Sequence, residues 1–197
     1  MNRRKALKSA GLLAGASIAV PSILNLLQSC ERTSRPEWQP QFFTENEAQL
    51  IGALADMILP ATSTPGALDV NVDIFIDTLV AKAYAPEAQQ AFRDALNALD
   101  ADCLKNKGDS FVNLNESSKK EFLSEAEQNA GTFNPGVWGT AIGEQKPVGF
   151  YRSLKSTMIW AFFSSEQIGK NILSYDPIPG AYHGCIPVSE VGNRWSL

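Results

Sequence analysis

Histidine is nearly missing from this chain of 197 residues: His183 is the only one. A histidine-based metal site within one chain is thereby excluded. A Ser-His-Asp triad would hang on that one residue, which sits in a Pro/Gly-rich stretch, and the sequence has no G-x-S-x-G elbow. His183 is therefore read as a surface or interface residue rather than a catalytic one. Cysteine is scarce too, with Cys30, Cys103 and Cys185 the only three, and no pair is spaced for zinc or set in a C-x-x-C-H haem attachment. The chain also lacks G-x-G-x-x-G, G-x-x-x-x-G-K-[ST] and H-E-x-x-H, so neither a dinucleotide, a nucleoside phosphate nor a zincin-type metal has its usual cradle. Beyond the first thirty residues no apolar run approaches the roughly 20 residues that span a bilayer.

Positive charge is in short supply. Lys and Arg number 17 against 21 Asp and Glu, a net charge of −4. Arg3, Arg4, Lys5 and Lys8 lie in the first thirty residues, which hold no acid. The remainder has 13 basic and 21 acidic side chains, a net charge of −8. An acidic surface without basic clusters argues against nucleic-acid binding.

The N-terminus has a distinct organisation. Paired Arg3-Arg4 and Lys5-Ala6-Leu7-Lys8 precede an uncharged run from Ser9 to Ser29, which closes on Cys30. A charged head, an apolar centre and a defined exit describe an export signal, excluded from fold reasoning. The arginine pair points to the twin-arginine route, with Ala6 standing where an aromatic is usual. That route carries proteins already folded, commonly ones that load a cofactor first. The alternative is an ordinary secretory signal or membrane anchor, against which Gly11, Gly15, Ser17, Pro21, Ser22 and Asn25 dilute the apolar run. Leu27-Gln28-Ser29-Cys30 matches a relaxed lipobox, making Cys30 a lipidation candidate; the alternative is cleavage near Ala16 or Ala19. The sequence thus divides into a signal (1–30), a polar tether (31–41) and a folded body (42–197), long enough for one domain with a real core.

The body reads as all-α: a small single domain of about five to six short helices with an extended Pro/Gly-rich C-terminal tail. Thr44-Glu45-Asn46-Glu47 is a capping box, followed by Leu50, Ile51, Leu54, Met57 and Ile58 at helical spacing until Pro60. Pro65-Gly66 suits a type II bend. A second helix from Val72 carries Phe75, Ile76, Leu79 and Val80. A third starts at Pro86, places Phe92, Leu96, Leu99 and Cys103 on one stripe, and stops at Gly108. Asn115 or Ser117 caps a fourth through Phe122 and Leu123. The stretch from Gly131 to Gly139 reads as a loop displaying Phe133 and Trp138. A helix from about Pro147 to Phe163 is apolar almost all round and should be the most buried element. Ser164-Ser165-Glu166-Gln167 offers a cap for a last short helix with Ile168 and Ile172. From Ser174 onward prolines and glycines preclude a helix, so the tail should lie extended over a surface. Asp56, Asp73 and Asp77 flank the Pro65-Gly66 loop and are read as solvated helix ends, with a carboxylate cluster the alternative.

Several fragments in order resemble the gluconate 2-dehydrogenase subunit 3 family. They are Phe43-Thr44 with Glu47-Ala48-Gln49-Leu50, Ala55-Asp56-Met57-Ile58-Leu59-Pro60, Thr64-Pro65-Gly66-Ala67 with Val72-Asp73-Ile74-Phe75-Ile76-Asp77, Phe150-Tyr151-Arg152-Ser153-Leu154-Lys155, and the ending Tyr175, Pro179-Gly180-Ala181-Tyr182, Gly184-Cys185. The resemblance implies a small, cofactor-free, non-catalytic helical subunit. Its partner would be a large FAD-dependent dehydrogenase of the glucose-methanol-choline type acting on a sugar, sugar acid or polyol, often joined by a multihaem cytochrome c subunit. The small chain would bring the twin-arginine signal and the large one would be exported folded with it. FAD, and haem c where present, would sit in the partners, and the complex would be periplasmic or held at the envelope by a lipid anchor. On that reading Tyr175, Pro179, Gly180, Tyr182 and His183 form a docking strip, since Tyr gives large contact area at modest entropic cost. Cys185 is then the candidate for an interchain disulfide, the competing arrangement being a Cys103–Cys185 staple. Two other classes stay open: a stand-alone envelope lipoprotein that binds or scaffolds, and a small enzyme using Asp56, Asp73, Asp77 or His183.

Overall fold

In the computed structural model the described residues are 38–137, 140–175, 180 and 184–194. Arg3, Arg4, Cys30, Trp138, Pro179, Tyr182 and His183 lie outside them. Seven α-helices are described: α1 (Glu45–Ile58), α2 (Val72–Ala83), α3 (Pro86–Lys107), α4 (Glu116–Asn129), α5 (Phe150–Phe163), α6 (Glu166–Asn171) and α7 (Val188–Val191). A 3-10 turn, Phe111–Asn113, lies between α3 and α4, and a two-residue antiparallel pairing joins β1 (Gly136–Val137) to β2 (Thr140–Ala141). The all-α class is as expected, and the first six helices are those read from the sequence. No helix among the described residues is long and apolar enough to cross a membrane.

Local signals set most of the helix ends. The Thr44 hydroxyl accepts the Glu47 N–H at 3.3 Å, and the Glu47 carboxylate accepts the Thr44 N–H at 2.9 Å. The chain leaves α1 at Leu59, ahead of Pro60, which has no N–H to continue the ladder. Pro86 is the first residue of α3. Gly108 ends it with φ 87°, where a side chain would be strained, and its N–H bonds Leu104 O at 3.0 Å. The Asn115 side chain caps α4 through the Ser118 N–H at 2.9 Å. Gln89 reaches back from α3 so that its Nε2 donates to Val80 O, Ala81 O and Tyr84 O at 3.0–3.3 Å, covering the last carbonyls of α2.

Helix α5 is the hub, packed against α1, α2, α3, α4 and α6. Its Tyr151, Leu154, Met158, Ala161 and Phe162 are buried, and they meet Ile51 and Leu54 of α1, Ile76 and Val80 of α2, Leu96 and Cys103 of α3, and Phe122 in one core. Burial, with a lesser contribution from Asp100, pushes the Cys103 thiol up to about 11, so it stays protonated and behaves as a small apolar side chain. Glu127 of α4 locks the start of α5 by pairing with Arg152 at 2.7 Å and Lys155 at 2.9 Å.

Four local expectations are corrected. Gly66 does not take the positive φ that a type II bend requires. It is glycine because a Cβ there would stand 2.5 Å from Ala61 N and 2.9 Å from Pro60 C, a contact of backbone on backbone. Ser165 does not cap α6 through its side chain, because its hydroxyl is spent on Phe162 O at 2.7 Å. The loop after α4 forms the short β1–β2 pairing. The tail is not free of helix either, since α7 makes one turn within it.

Candidate partner-docking surface

Two arrangements stand out among the described residues: an anchorage of the residues just ahead of α1, and an exposed apolar surface near the C-terminus.

The anchorage centres on α2. Its buried face reads Val72, Asp73, Ile76, Asp77, Val80, so two aspartates share the core side with three aliphatics. Asp77 is fully buried, and its carboxylate accepts three successive backbone N–H groups: Gln41 at 2.7 Å, Phe42 at 3.0 Å and Phe43 at 3.0 Å. Three donors convert a buried charge from a liability into a fixed point. Arg93 of α3 reinforces it, donating to Phe42 O at 2.6 Å while its guanidinium lies 4.2 Å from the Phe42 ring centre. Residues 38–41, taken from the sequence as the end of the tether, are therefore held: Trp38 packs on the core and Gln41 bonds to α2.

The reading of Asp73 and Asp77 as solvated helix ends is thus overturned, since both are buried. Asp56 is exposed on α1. The described residues contain no group of three or more His, Cys, Asp or Glu placed to hold a metal ion. The spacing held the clue: 73 and 77 interleave with 72, 76 and 80 on one helical face, where a carboxylate must find donors.

Glu47 completes the anchorage. Its carboxylate meets Arg93 Nε at 3.2 Å and accepts from Asn97 Nδ2 at 3.3 Å, besides capping α1. Burial alone would raise its pKa. The Thr44 backbone and hydroxyl bonds, the Arg93 charge and Asn97 outweigh that and hold the carboxyl below its ordinary range. A depressed pKa contributes stability that is present above the unfolded value and lost as pH falls through the folded one. Unfolding free energy is therefore expected to decline as the pH drops below the ordinary carboxyl value of 4.5. Glu47→Gln should flatten that part of an acid titration followed by denaturant melts. An acid profile identical to the parent chain would place the loss elsewhere.

The second arrangement is apolar and exposed. Tyr175, a residue of the expected docking strip, is 40% exposed, and Gly180 and Cys185 are exposed. Near them in sequence, Ile186 and Val188 are also exposed large hydrophobics. Cys103 and Cys185 are both free thiols, one buried and the other exposed, so the Cys103–Cys185 staple is not formed. The strip does not end as a loose tail. Ser174 N donates to Arg194 O at 2.9 Å, the Ser174 hydroxyl engages Val191 O and Asn193 O, and Asn193 Nδ2 reaches Ile172 O at 2.8 Å. These bonds tie residues 191–194 to residues 172–174.

Trp160 is not among the residues the sequence singles out. It lies two positions past the buried Met158, so 3.6-residue periodicity turns it away from the stripe 151, 154, 158, 161, 162. It is 55% exposed, and its ring meets that of Phe75. Phe75 lies beside rather than on the α2 core face and is exposed as well, not a core residue.

No curated protein and no solved structure matches the chain. A family profile, described as Gluconate 2-dehydrogenase subunit 3, matches residues 45–180. The match opens on the first residue of α1, takes in the anchoring carboxylates and the α5 hub, and closes within the tail. The order of fragments along the sequence, the helical body and this coverage of well over half the chain agree, and the chain belongs to the gluconate 2-dehydrogenase subunit 3 family.

Proposed function

We propose that this chain is a non-catalytic accessory subunit that binds and stabilises a large FAD-dependent dehydrogenase of the glucose-methanol-choline type and escorts it through twin-arginine export. Family membership across the helical body carries the reading, because the family is one of accessory subunits in gluconate 2-dehydrogenase complexes. The partner oxidises a sugar, sugar acid or polyol with its own FAD, passing electrons in some assemblies to a cytochrome c subunit. Arg3 and Arg4 supply the export signal for both chains, and Cys30, once lipidated, holds the complex at the periplasmic face of the envelope. Tyr175, Pro179, Gly180, Tyr182 and His183 form the docking strip, and Cys185 lies in it as the thiol available for an interchain disulfide. Exposure of Tyr175, Ile186 and Val188 supports this reading over a stand-alone lipoprotein, which would fold such side chains onto its own helices.

The test is purification of the tagged chain from solubilised envelope, with a visible spectrum and gels run with and without reductant. A larger chain with flavin absorbance near roughly 450 nm is expected alongside it. Arg3→Lys with Arg4→Lys should strand both chains in the cytoplasm. A colourless chain recovered alone would end the accessory reading, and normal export of the flavoprotein beside the double variant would remove the escort role.

A further inference from the structure

We infer that Ser174 is the latch of a C-terminal clasp that holds residues 184–194 in a fixed place on the body and so presents Cys185, Ile186 and Val188 in one position for docking; the docking half of this rests on the accessory-subunit reading above. The segment adds no side chain to the core. None of residues 184–194 is buried, and Val188 is 88% exposed. A chain end without a buried side chain ordinarily frays, because it gains too little apolar contact to offset the entropy of ordering it. This one is held by polar bonds instead.

Those bonds converge on one residue. The Ser174 hydroxyl donates to Val191 O at 2.7 Å and Asn193 O at 3.0 Å, and it accepts the Asn193 N–H at 3.0 Å. Its backbone N–H donates to Arg194 O at 2.9 Å. Asn193 adds a bond from Nδ2 to Ile172 O at 2.8 Å, and the Arg194 guanidinium lies 5.2 Å from the ring centre of Phe163, the last residue of α5. The body side of the clasp is itself fixed: Leu173 and Ile168 are buried, and the Ile172 and Leu173 N–H groups both bond to Ile168 O.

Backbone geometry serves the same end. Gly192 follows α7 with φ 76° and ψ −93°, a conformation that side-chain-bearing residues rarely adopt. The turn there brings residues 193–194 alongside 172–174. A Cβ on Gly192 would stand 3.5 Å from Ser174 Oγ, an ordinary contact, so the turn rather than space requires glycine.

The clasp acts on position more than on stability. Its bonds lie near the surface, where water replaces much of each one lost, and the core is built without residues 184–194. What the clasp removes is the entropy cost of ordering Ile186 and Val188 when a partner arrives. Ser174 is thus a positioning residue, acting through the segment that bears the exposed apolar side chains.

The test compares the full parent chain with Ser174→Ala, Gly192→Ala and Ser174→Thr, by hydrogen exchange on the chain alone and by flavoprotein recovery after co-expression. Ser174→Ala removes the latch chemically and Gly192→Ala strains the turn. Both should speed exchange of the Asn193 amide roughly fivefold or more, the factor that loss of one ordinary hydrogen bond implies. The α5 amides and the melting midpoint should stay as in the parent. Flavoprotein recovery should fall roughly threefold or more in both variants, whereas Ser174→Thr, which retains the hydroxyl, should stay near the parent in both readouts. Unchanged exchange in both variants would overturn the clasp. Faster exchange with undiminished recovery would overturn its part in docking and leave the accessory reading standing. If the parent chain holds no flavoprotein, the accessory reading falls and the docking role with it, while the exchange result still decides the clasp.

Discussion

Asp77→Ala should lower unfolding free energy by about 3–4 kcal/mol, on the basis of about 1–3 kcal/mol for each buried donor left unsatisfied. The substitution removes the acceptor from three consecutive N–H groups, Gln41, Phe42 and Phe43, at 2.7–3.0 Å. Water can take over for Gln41, which is exposed, but not for Phe43, which is 5% exposed; the total therefore falls short of three full penalties. Asp77→Asn separates charge from shape. One oxygen can still serve Phe42 and Phe43, while the new amino group faces the Gln41 N–H, so an intermediate loss of about 1–2 kcal/mol is expected. Denaturant melts give the magnitudes, and hydrogen exchange gives the place: the Phe42 and Phe43 amides should speed up more than those of α5. A loss below about 1 kcal/mol for alanine would mean the segment is held by Trp38 and Arg93 without the carboxylate. The weight of this site is positional, because it fixes residues 41–43 against α2 just ahead of α1.

Leu54→Ala should cost a similar amount, about 3–4 kcal/mol, through a different mechanism. Leu54 is completely buried in α1, a helix that packs on α2, on α5 and on the 3-10 turn at Phe111–Asn113. Removing its branched end forfeits the transfer energy of the lost carbons and leaves a void that three rigid neighbours cannot close. Leu104→Ala is the internal control. The chemical change is identical, but Leu104 is 54% exposed on α3, so a loss within about 0.5 kcal/mol is expected. Equal losses at the two sites would mean that α1 does not sit in the core. The two large effects should also be separable by exchange: Leu54→Ala weakens the whole helical body, whereas Asp77→Ala acts first on the residues just ahead of α1.

Legibility in the sequence followed the range of the interaction. Thr44 with Glu47, Pro60, Pro86, Gly108 and Asn115 were all readable because each satisfies or blocks backbone groups within a few residues of itself, and the structure uses all five. Gly66 is the complementary case: its need for glycine comes from Pro60 and Ala61 folding back on it, not from its own φ. Ser165 stands at a cap position, yet its hydroxyl bonds the preceding helix end at Phe162 O. Asp77 bonds across 34 to 36 residues, and Arg93 reaches Phe42 O across 51. No local pattern announces either contact.

The sequence alone determined the all-α class, the order of the six longer helices, the end signals of α1, α3 and α4, the burial of Cys103 and the placement of α5 at the centre. Hydrophobic periodicity and end-capping are local, and they act before any packing exists. Tertiary structure decided the rest. It turned two aspartates from solvated ends into buried ones, left Phe75 and Trp160 in the open, and tied the end of the tail back to Ser174. The physical reason is the same in each case. A side chain's role is fixed by which other element comes to lie against it, and periodicity shows which residues share a face without showing what that face will meet.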